Sequence, residues 1–258
     1  MIWQFQDTNI YVLASVHVMA PDRNTHVDSI NDILAVVSKV IFEASLDCND
    51  LPITRYINDQ LSRNISKTLF RDTRNIWLKY GLSNSELKPS KIWSAALSIS
   101  MQIFSAIGFD SKNGVDKIIW ESSRNGAKNV DWLEDENVGL MCFENSPKEE
   151  QVKFLTETVR NKRKVVDSLT EIVEGWNSTS EEALLKILNT SLNEYPVIFN
   201  SLIIDRNIQW IPRFLESLKA NTPTLFVVGA LHCVGESSIL KILERDHGYP
   251  SSLINAKS

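Results

Sequence analysis

The strongest constraint on the fold is a stretch near the C-terminal end of the chain. Residues 224–232 form a continuous apolar run, Thr-Leu-Phe-Val-Val-Gly-Ala-Leu-His, bounded by Pro223 and Gly235. Such a run, with its β-branched residues, is typical of a strand buried on both faces of a sheet. Residues 239–243 then place apolar side chains at helical spacing, which predicts a short amphipathic helix. We therefore expect His232 to end a buried strand, where open α/β sheets bind ligands.

The N-terminal part of the chain repeats this arrangement. Residues 10–17, Ile-Tyr-Val-Leu-Ala-Ser-Val-His, form another apolar run that ends on a histidine, and a helix is predicted from about Asp28. Residues 2–5 alternate apolar and polar side chains and should pair with this strand as a hairpin. Either His17 or His232 alone is more typical of a hydrogen-bonded structural side chain. Brought together, the two would supply half of a metal site.

The middle of the chain is predicted to be mostly helical, with two further short strands. Residues 39–44 predict a strand with Glu43 near its end, and residues 128–133 predict another, followed by Glu134. Helices are expected at 54–80, 92–109, from 114, over 147–176 as one long helix, at 181–188, and at 195–220 with a kink at Pro212. The chain thus predicts one α/β domain, 1–258, with a central mixed sheet formed by N- and C-terminal strands and a helical insertion at roughly 50–125 and 145–220.

Composition excludes several functional classes. The net charge of -5 lacks the basic excess of a nucleic-acid-binding protein. Three widely spaced cysteines without a CxxC pair are typical of reduced thiols, and the first residues lack the features of a secretion signal, so we expect a cytoplasmic location.

The uncharged helix at 92–109 is interrupted by serines, so a membrane span is not favoured. An exposed face of that helix could form a homodimer.

Four segments, in order, resemble the TraB/GumN family, which includes the Tiki metalloproteases. Residues 10–17 resemble its opening "yLlGTiH" motif, although Ala14 and Ser15 replace the glycine and threonine, and residues 228–236 resemble its closing "vGaaHlxGe" motif. Residues 88–116 are similar to its central "kPW…Gld…GvD" region, and Arg206, Asn207 and Trp210 match its "RNxxW".

The resemblance also implies functional residues between the two histidine motifs. Glu43 matches a glutamate on the strand after the first histidine. Glu134 aligns with the glutamate of a Leu-Glu pair, but the glutamine that relatives often carry downstream is Val138 here. Two imidazoles and one carboxylate can hold a divalent metal with an open position. We therefore predict His17, Glu43 and His232 as ligands of Mn, Co or Zn.

These residues predict a metal-dependent hydrolase of peptides or of small amides or esters, in which a bound water becomes the nucleophile. Glu236 would orient that water or accept its proton, Arg206 would stabilise the negative oxygen, and Asn207 would position the substrate. Serine hydrolysis through Ser15 is disfavoured because no carboxylate is evident to orient a histidine base. The alternative is a non-catalytic peptide-binding or regulatory module of the same fold, which the changes at Ala14, Ser15 and Val138 favour.

Overall fold

The central feature of the computed structural model, which describes residues 1–21, 27–46, 55–56 and 59–254, is a six-stranded mixed sheet. Four parallel strands form its middle and one side, and two antiparallel strands close the other side, in the order β4-β3-β5-β2-β1-β6. The predicted α/β class and mixed sheet are confirmed. The strands are β1 (Ile2–Phe5), β2 (Ile10–Ser15), β3 (Lys39–Phe42), β4 (Asn129–Trp132), β5 (Thr224–Gly229) and β6 (Ser251–Leu253).

Helices fill most of the remaining chain, as the sequence predicted, but the single helix expected at 54–80 is wrong: extended backbone at Ile65 and Ser66 separates two helices there, and residues 54, 57 and 58 lie outside the described residues. The helix bounds are α1 (Val27–Val36), α2 (Leu61–Asn64), α3 (Lys67–Lys79), α4 (Asn84–Leu87), α5 (Ile92–Ala106), α6 (Val115–Asn125), α7 (Val138–Glu144), α8 (Lys148–Arg160), α9 (Lys162–Asn177), α10 (Glu181–Glu194), α11 (Pro196–Phe199), α12 (Arg206–Ala220) and α13 (Ile239–His247). A π-helical segment at 200–205 precedes α12, and a short 3-10 turn at 230–233 follows β5.

The prediction of one long helix over 147–176 is wrong. The helix breaks at Asn161, whose backbone is non-helical (φ -125°, ψ 55°). The two halves bury side chains in different places: Leu155 of α8 belongs to the cluster between α3 and α5, whereas Val173 and Trp176 of α9 belong to the core around the sheet. One straight helix could not present its single apolar face to both clusters, so the chain turns between them.

The predicted break at Pro212 is displaced. Helix α12 continues from Arg206 to Ala220 with Pro212 inside it, and the irregular turn lies upstream at 200–205. A π turn holds one extra residue, which rotates the following helix relative to the preceding one and is frequent at functional sites. It sets the direction in which Arg206 and Asn207 leave α12, and both are buried.

The uncharged helix α5 is mainly an interior element. Trp93, Ile99 and Ile103 are buried; Ile99 and Ile103 share a cluster with residues of α3 and α8, and the Trp93 ring stacks on Phe143 of α7. Its exposed large apolar side chain is Met101, and Ile107 follows its end. A homodimer through this helix stays a prediction, and it would have to use that narrow face. In the part of the chain that the structure describes, no helix is both long and apolar enough to cross a membrane; the cytoplasmic location stays a prediction.

Candidate active site

The site lies where the four parallel strands end. β2, β3, β4 and β5 lie side by side, so the residues that follow them meet at one edge of the sheet. Each strand contributes one predicted functional side chain within three residues of its last residue: His17 after β2, Glu43 after β3, Glu134 after β4 and His232 after β5.

Neither histidine ends its strand in the way the sequence suggested. β2 stops at Ser15 and β5 at Gly229, which are partners in the last register pair. His17 lies two residues farther on, and His232 lies in the 3-10 turn at 230–233. The expectation that these strands run to the histidines is therefore wrong, because apolar composition continues past the point where the backbone leaves the ladder. Because the backbone leaves the sheet after Ser15 and Gly229, the side chains of both histidines lie at the site.

Asp116 holds His17. The Nδ1 of His17 lies 2.8 Å from the carboxylate Oδ2 of Asp116, at the start of α6. The backbone is tied at the same place, because the amide of Val115 donates to the carbonyl of Val16 at 2.9 Å. The Asp116 carboxylate raises the pKa of His17 to about 9, although 60% of the side chain is exposed and water screens part of that attraction. Asp116 is a site residue that the sequence marked only through its place in the "GvD" segment.

His232 is buried and held in one tautomer by Asn207. Asn207 Nδ2 donates to the carbonyl of Ser237 at 2.8 Å, so its Oδ1, 2.6 Å from His232 Nδ1, faces the ring as an acceptor. Nδ1 therefore carries the proton and Nε2 carries a lone pair. Burial lowers the pKa of His232 to about 3, which keeps the ring neutral at physiological pH. Both ends of the Asn207 amide are therefore engaged within the protein, one by His232 and the other by Ser237.

Arg206 joins the two glutamates and His232. Its Nε and Nη2 donate to Glu134 at 2.7–3.1 Å, and Nη2 also donates to Glu43 at 2.6 Å. Its Nη1 donates to the carbonyl of Leu202 at 2.9 Å and lies 3.3 Å from Nε2 of His232. A guanidinium has five N–H donors, and these contacts engage all of them. The predicted role of Arg206 at a negative oxygen is therefore at odds with its geometry, because no donor is left for that oxygen.

The two glutamates occupy different electrostatic environments. Burial by itself would raise the pKa of Glu43, but Arg206 and the two histidines outweigh it and hold that pKa well below its usual range. The amide of Gly229 also donates to Glu43 Oε1, at 2.5 Å. At Glu134 burial dominates and raises the pKa, although Arg206 and the indole N–H of Trp210 both donate to its carboxylate. Glu43 is therefore the more firmly ionised of the pair.

His17, Glu43, Glu134 and Arg206 line a pocket of about 310 Å³, whereas His232 and Asn207 are not among its lining residues. Those four residues supply charged groups of its wall, and its apolar lining includes Leu140 and Phe143 of α7, Leu202 of the π-helical segment, and Phe42 and Val227 of the sheet. The lining also includes three side chains that had no predicted role as metal or catalytic groups, Ser15, Asp116 and Glu136. The pocket is thus a recess at the carboxyl edge of the sheet in which a few charged groups stand among mainly apolar walls, as expected for a small-molecule or peptide site.

Comparison with known proteins places the chain in a family. The model of the TraB/PrgY/gumN family matches residues 1–250. The chain belongs to this family. Searches of curated proteins and of solved structures gave no match. The TraB/PrgY/gumN match extends over all four strand ends that form the pocket, so the resemblance predicted from separate motifs is confirmed for the chain as a whole.

Glu236 stands apart from this TraB/PrgY/gumN-family site. Its side chain is exposed, and it lines a different pocket together with Leu185, Leu188 and Ile203. The turn after Val234, where Gly235 adopts a positive φ of 84°, directs Glu236 away from the histidines. The structure thus brings His17, Glu43, Glu134, Arg206, Asn207 and His232 together and leaves Glu236 outside.

The donor chemistry of the site fits a divalent metal in part. Both histidines use Nδ1 for a fixed acceptor, so Nε2 is the atom that would face a metal, a common arrangement of metal-binding histidines; Nε2 of His232 also accepts from Arg206 Nη1 at 3.3 Å, a contact that a metal would have to replace. A Cβ added to Gly229 would lie 3.2 Å from Glu43 Oε1 and 3.5 Å from His17 Nε2, so these atoms face one small gap over Gly229. Within the described residues, however, no three His, Cys, Asp or Glu side chains form a ready metal-holding group, and Arg206 holds the Glu43 carboxylate.

Proposed function

We propose that this TraB/PrgY/gumN-family chain is a divalent-metal-dependent hydrolase that cleaves peptide or other amide-like bonds. The observation that carries the proposal is the paired orientation of His17 and His232, each with Nδ1 anchored, while Nε2 of His17 and Oε1 of Glu43 both face Gly229. Nε2 of His232 lies 3.7 Å from Glu43 Oε1. With His17, His232 and Glu43 as ligands, Mn, Co or Zn would supply a Lewis acid and an activated water.

The neighbouring side chains would hold the three proposed ligands in position. Asp116 orients His17 through its 2.8 Å contact, and Asn207 fixes the tautomer of His232. Arg206 keeps Glu43 ionised and is itself fixed by Glu134, so we assign Arg206 and Glu134 to positioning. Groups of this kind commonly change metal affinity 10–100-fold when they are replaced.

Metal content tests the proposal directly. The wild type, His17→Ala and His232→Ala would be loaded with Mn, Co or Zn in turn, dialysed, and measured by elemental analysis. We expect about one metal per chain in the wild type and a loss of it in both variants, because each removes one of the few ligands. His247→Ala is the control, since His247 is exposed on the last turn of α13. A wild type without metal under all three conditions, or metal retained in both site variants, would overturn the metal assignment.

The substitution Gly229→Ala, which adds a methyl group in the gap over Gly229, tests the location of the metal without removing a ligand. The backbone of Gly229 (φ -57°, ψ 143°) is open to alanine. In Gly229→Ala the new methyl would lie 3.2 Å from Glu43 Oε1 and 3.5 Å from both His17 Nε2 and His232 Cδ2. We expect bound metal to fall at least about tenfold at equal free metal, while circular dichroism stays unchanged. Full metal loading of Gly229→Ala would place the metal elsewhere.

A non-catalytic peptide-binding module is the second candidate. It is favoured by the closed network around Arg206, which satisfies Glu43, Glu134 and His232 without a metal. Turnover separates the two functions. Mn-, Co- or Zn-loaded protein would be incubated with a library of internally quenched fluorescent peptides, and cleavage supports the hydrolase. Saturable peptide binding without cleavage supports the binding module.

A further inference from the structure

Two buried polar atoms of the site pocket have no hydrogen-bond partner among the described residues. They are Oγ of Ser15 and Oδ1 of Asp116, and both residues line the pocket that contains His17 and Glu43. Ser15 is 2% exposed and Asp116 is 8% exposed. Buried polar groups are nearly always paired, and leaving one unpaired is costly. A donor and an acceptor that are buried and unpaired in the wall of one pocket therefore point to a ligand that supplies both partners.

A hydrolase site also needs a hydrogen-bond donor for the substrate oxygen, and Arg206 cannot supply it. Hydrolysis of an amide places negative charge on the carbonyl oxygen, and a donor fixed beforehand stabilises that charge most effectively. The five N–H groups of Arg206 are engaged by Glu43, Glu134, Leu202 and His232. The amide of Gly229 is committed to Glu43. The hydroxyl of Ser15 is a buried side-chain donor of the described pocket wall that has no partner.

Ser15 is also rigidly held. It is the last residue of β2 and lies opposite Gly229 of β5 in the register. The carbonyl of the preceding residue, Ala14, accepts a 2.7 Å hydrogen bond from the indole N–H of Trp176, which is fully buried on α9. A donor on a strand fixed from both sides keeps its position while a substrate reacts, which is what electrostatic stabilisation of a transition state requires.

We propose that Ser15 donates its hydroxyl hydrogen to the carbonyl oxygen of the scissile amide and that Asp116 Oδ1 accepts the amide N–H. This inference rests on the proposed hydrolase function and narrows its substrates to amides, since an ester has no N–H for Asp116. Water adds to the carbonyl carbon and the C=O electron pair moves onto the oxygen, where Ser15 stabilises it. The C–N bond then breaks, and a proton from the water ends on the leaving amine. The products are a carboxylic acid and an amine.

The test compares Ser15→Ala, Ser15→Thr and Ser123→Ala with the wild type, all metal-loaded, on a peptide selected from the quenched library. Ser123 is the matched control, because its hydroxyl is equally buried and unpaired but lies on α6 outside the pocket. Loss of one oxyanion donor lowers kcat about 10²–10³-fold. We expect that loss in Ser15→Ala with little change in KM, recovery in Ser15→Thr, which keeps the hydroxyl, and wild-type kcat in Ser123→Ala.

Two further measurements separate this role from a structural one. Ser15→Ala should keep its metal content, and its melting temperature should stay the same or rise, because an unpaired buried hydroxyl is removed. The ester with the same acyl group should show a KM raised about tenfold over the amide in the wild type, because it lacks the one N–H that Asp116 would accept. Wild-type kcat in Ser15→Ala, or an equal KM for the ester, would overturn the inference while the hydrolase stands. An inactive wild type would overturn the proposed function and this inference with it.

Discussion

Replacing Arg206 with methionine is expected to destabilise the protein by about 3–5 kcal/mol, the range observed when one partner of a buried ion pair is removed. The side chain of Arg206 is 7% exposed, and those of Glu43 and Glu134 are 14% and 8% exposed. Methionine retains much of the apolar stem but leaves two buried carboxylates without their cation. Urea unfolding at pH 7 measures the loss. A second α12 arginine, Arg213, is the control: it pairs with Asp131 and Glu216 in a more exposed place, so Arg213→Met should cost less than about 1 kcal/mol.

The loss in free energy of unfolding caused by Arg206→Met should become smaller as the pH falls from 7 toward 4.5. In the wild type, Glu43 has a lowered pKa, so its favourable contribution is present above the unfolded value of 4.5 and is lost only as the pH falls toward the folded pKa. Without Arg206, burial dominates and raises the folded pKa of Glu43, so protonation then stabilises the variant relative to its unfolded state. A deficit below about 1 kcal/mol at pH 7, or one that grows on acidification, would contradict this account of the network.

Replacing Gly114 with alanine should displace the backbone of His17 and the side chain of Asp116. The backbone of Gly114 (φ -57°, ψ 142°) suits any residue, but a Cβ there would lie 2.4 Å from the carbonyl oxygen of His17 and 2.7 Å from Asp116 Oδ1. Backbone must therefore shift, and overpacking of this kind typically costs about 1–3 kcal/mol. Because the shift separates His17 from Asp116, we also expect metal affinity to fall about 10–100-fold. Urea unfolding and metal titration measure the two effects separately.

Gly139 supplies the matched control for this substitution. It lines the same pocket, and a Cβ there meets nothing within 4 Å. Since Gly139 lies within α7, Gly139→Ala should leave metal binding unchanged and stabilise the protein by up to about 1 kcal/mol through helix propensity. If Gly114→Ala matched Gly139→Ala in both measurements, the close approach of Gly114 to His17 would have no importance for the site.

The sequence was most informative where burial imposes a simple pattern. The continuous apolar runs at 10–15 and 224–229 became the two adjacent central strands, and the alternating run at 2–5 became their hairpin neighbour. The period of apolar residues also placed most helices. It failed at 147–176, because one periodic face does not reveal that its two halves pack in different clusters, and at the strand ends, because composition does not mark the residue at which a ladder stops.

By itself, the sequence determined which side chains follow the buried strands, and hence His17, Glu43, Glu134 and His232, because parallel strands bring their carboxyl ends to one edge. Only the tertiary structure decided how these groups are used. Asp116 comes from a helix 99 residues beyond His17, and Arg206 lies 163 residues beyond Glu43. The protonation state of each group depends on the balance between burial and such distant charged partners, and the engagement of all five N–H groups of Arg206 depends on them as well. Local sequence patterns contain none of those distances, so chain folding alone fixes them.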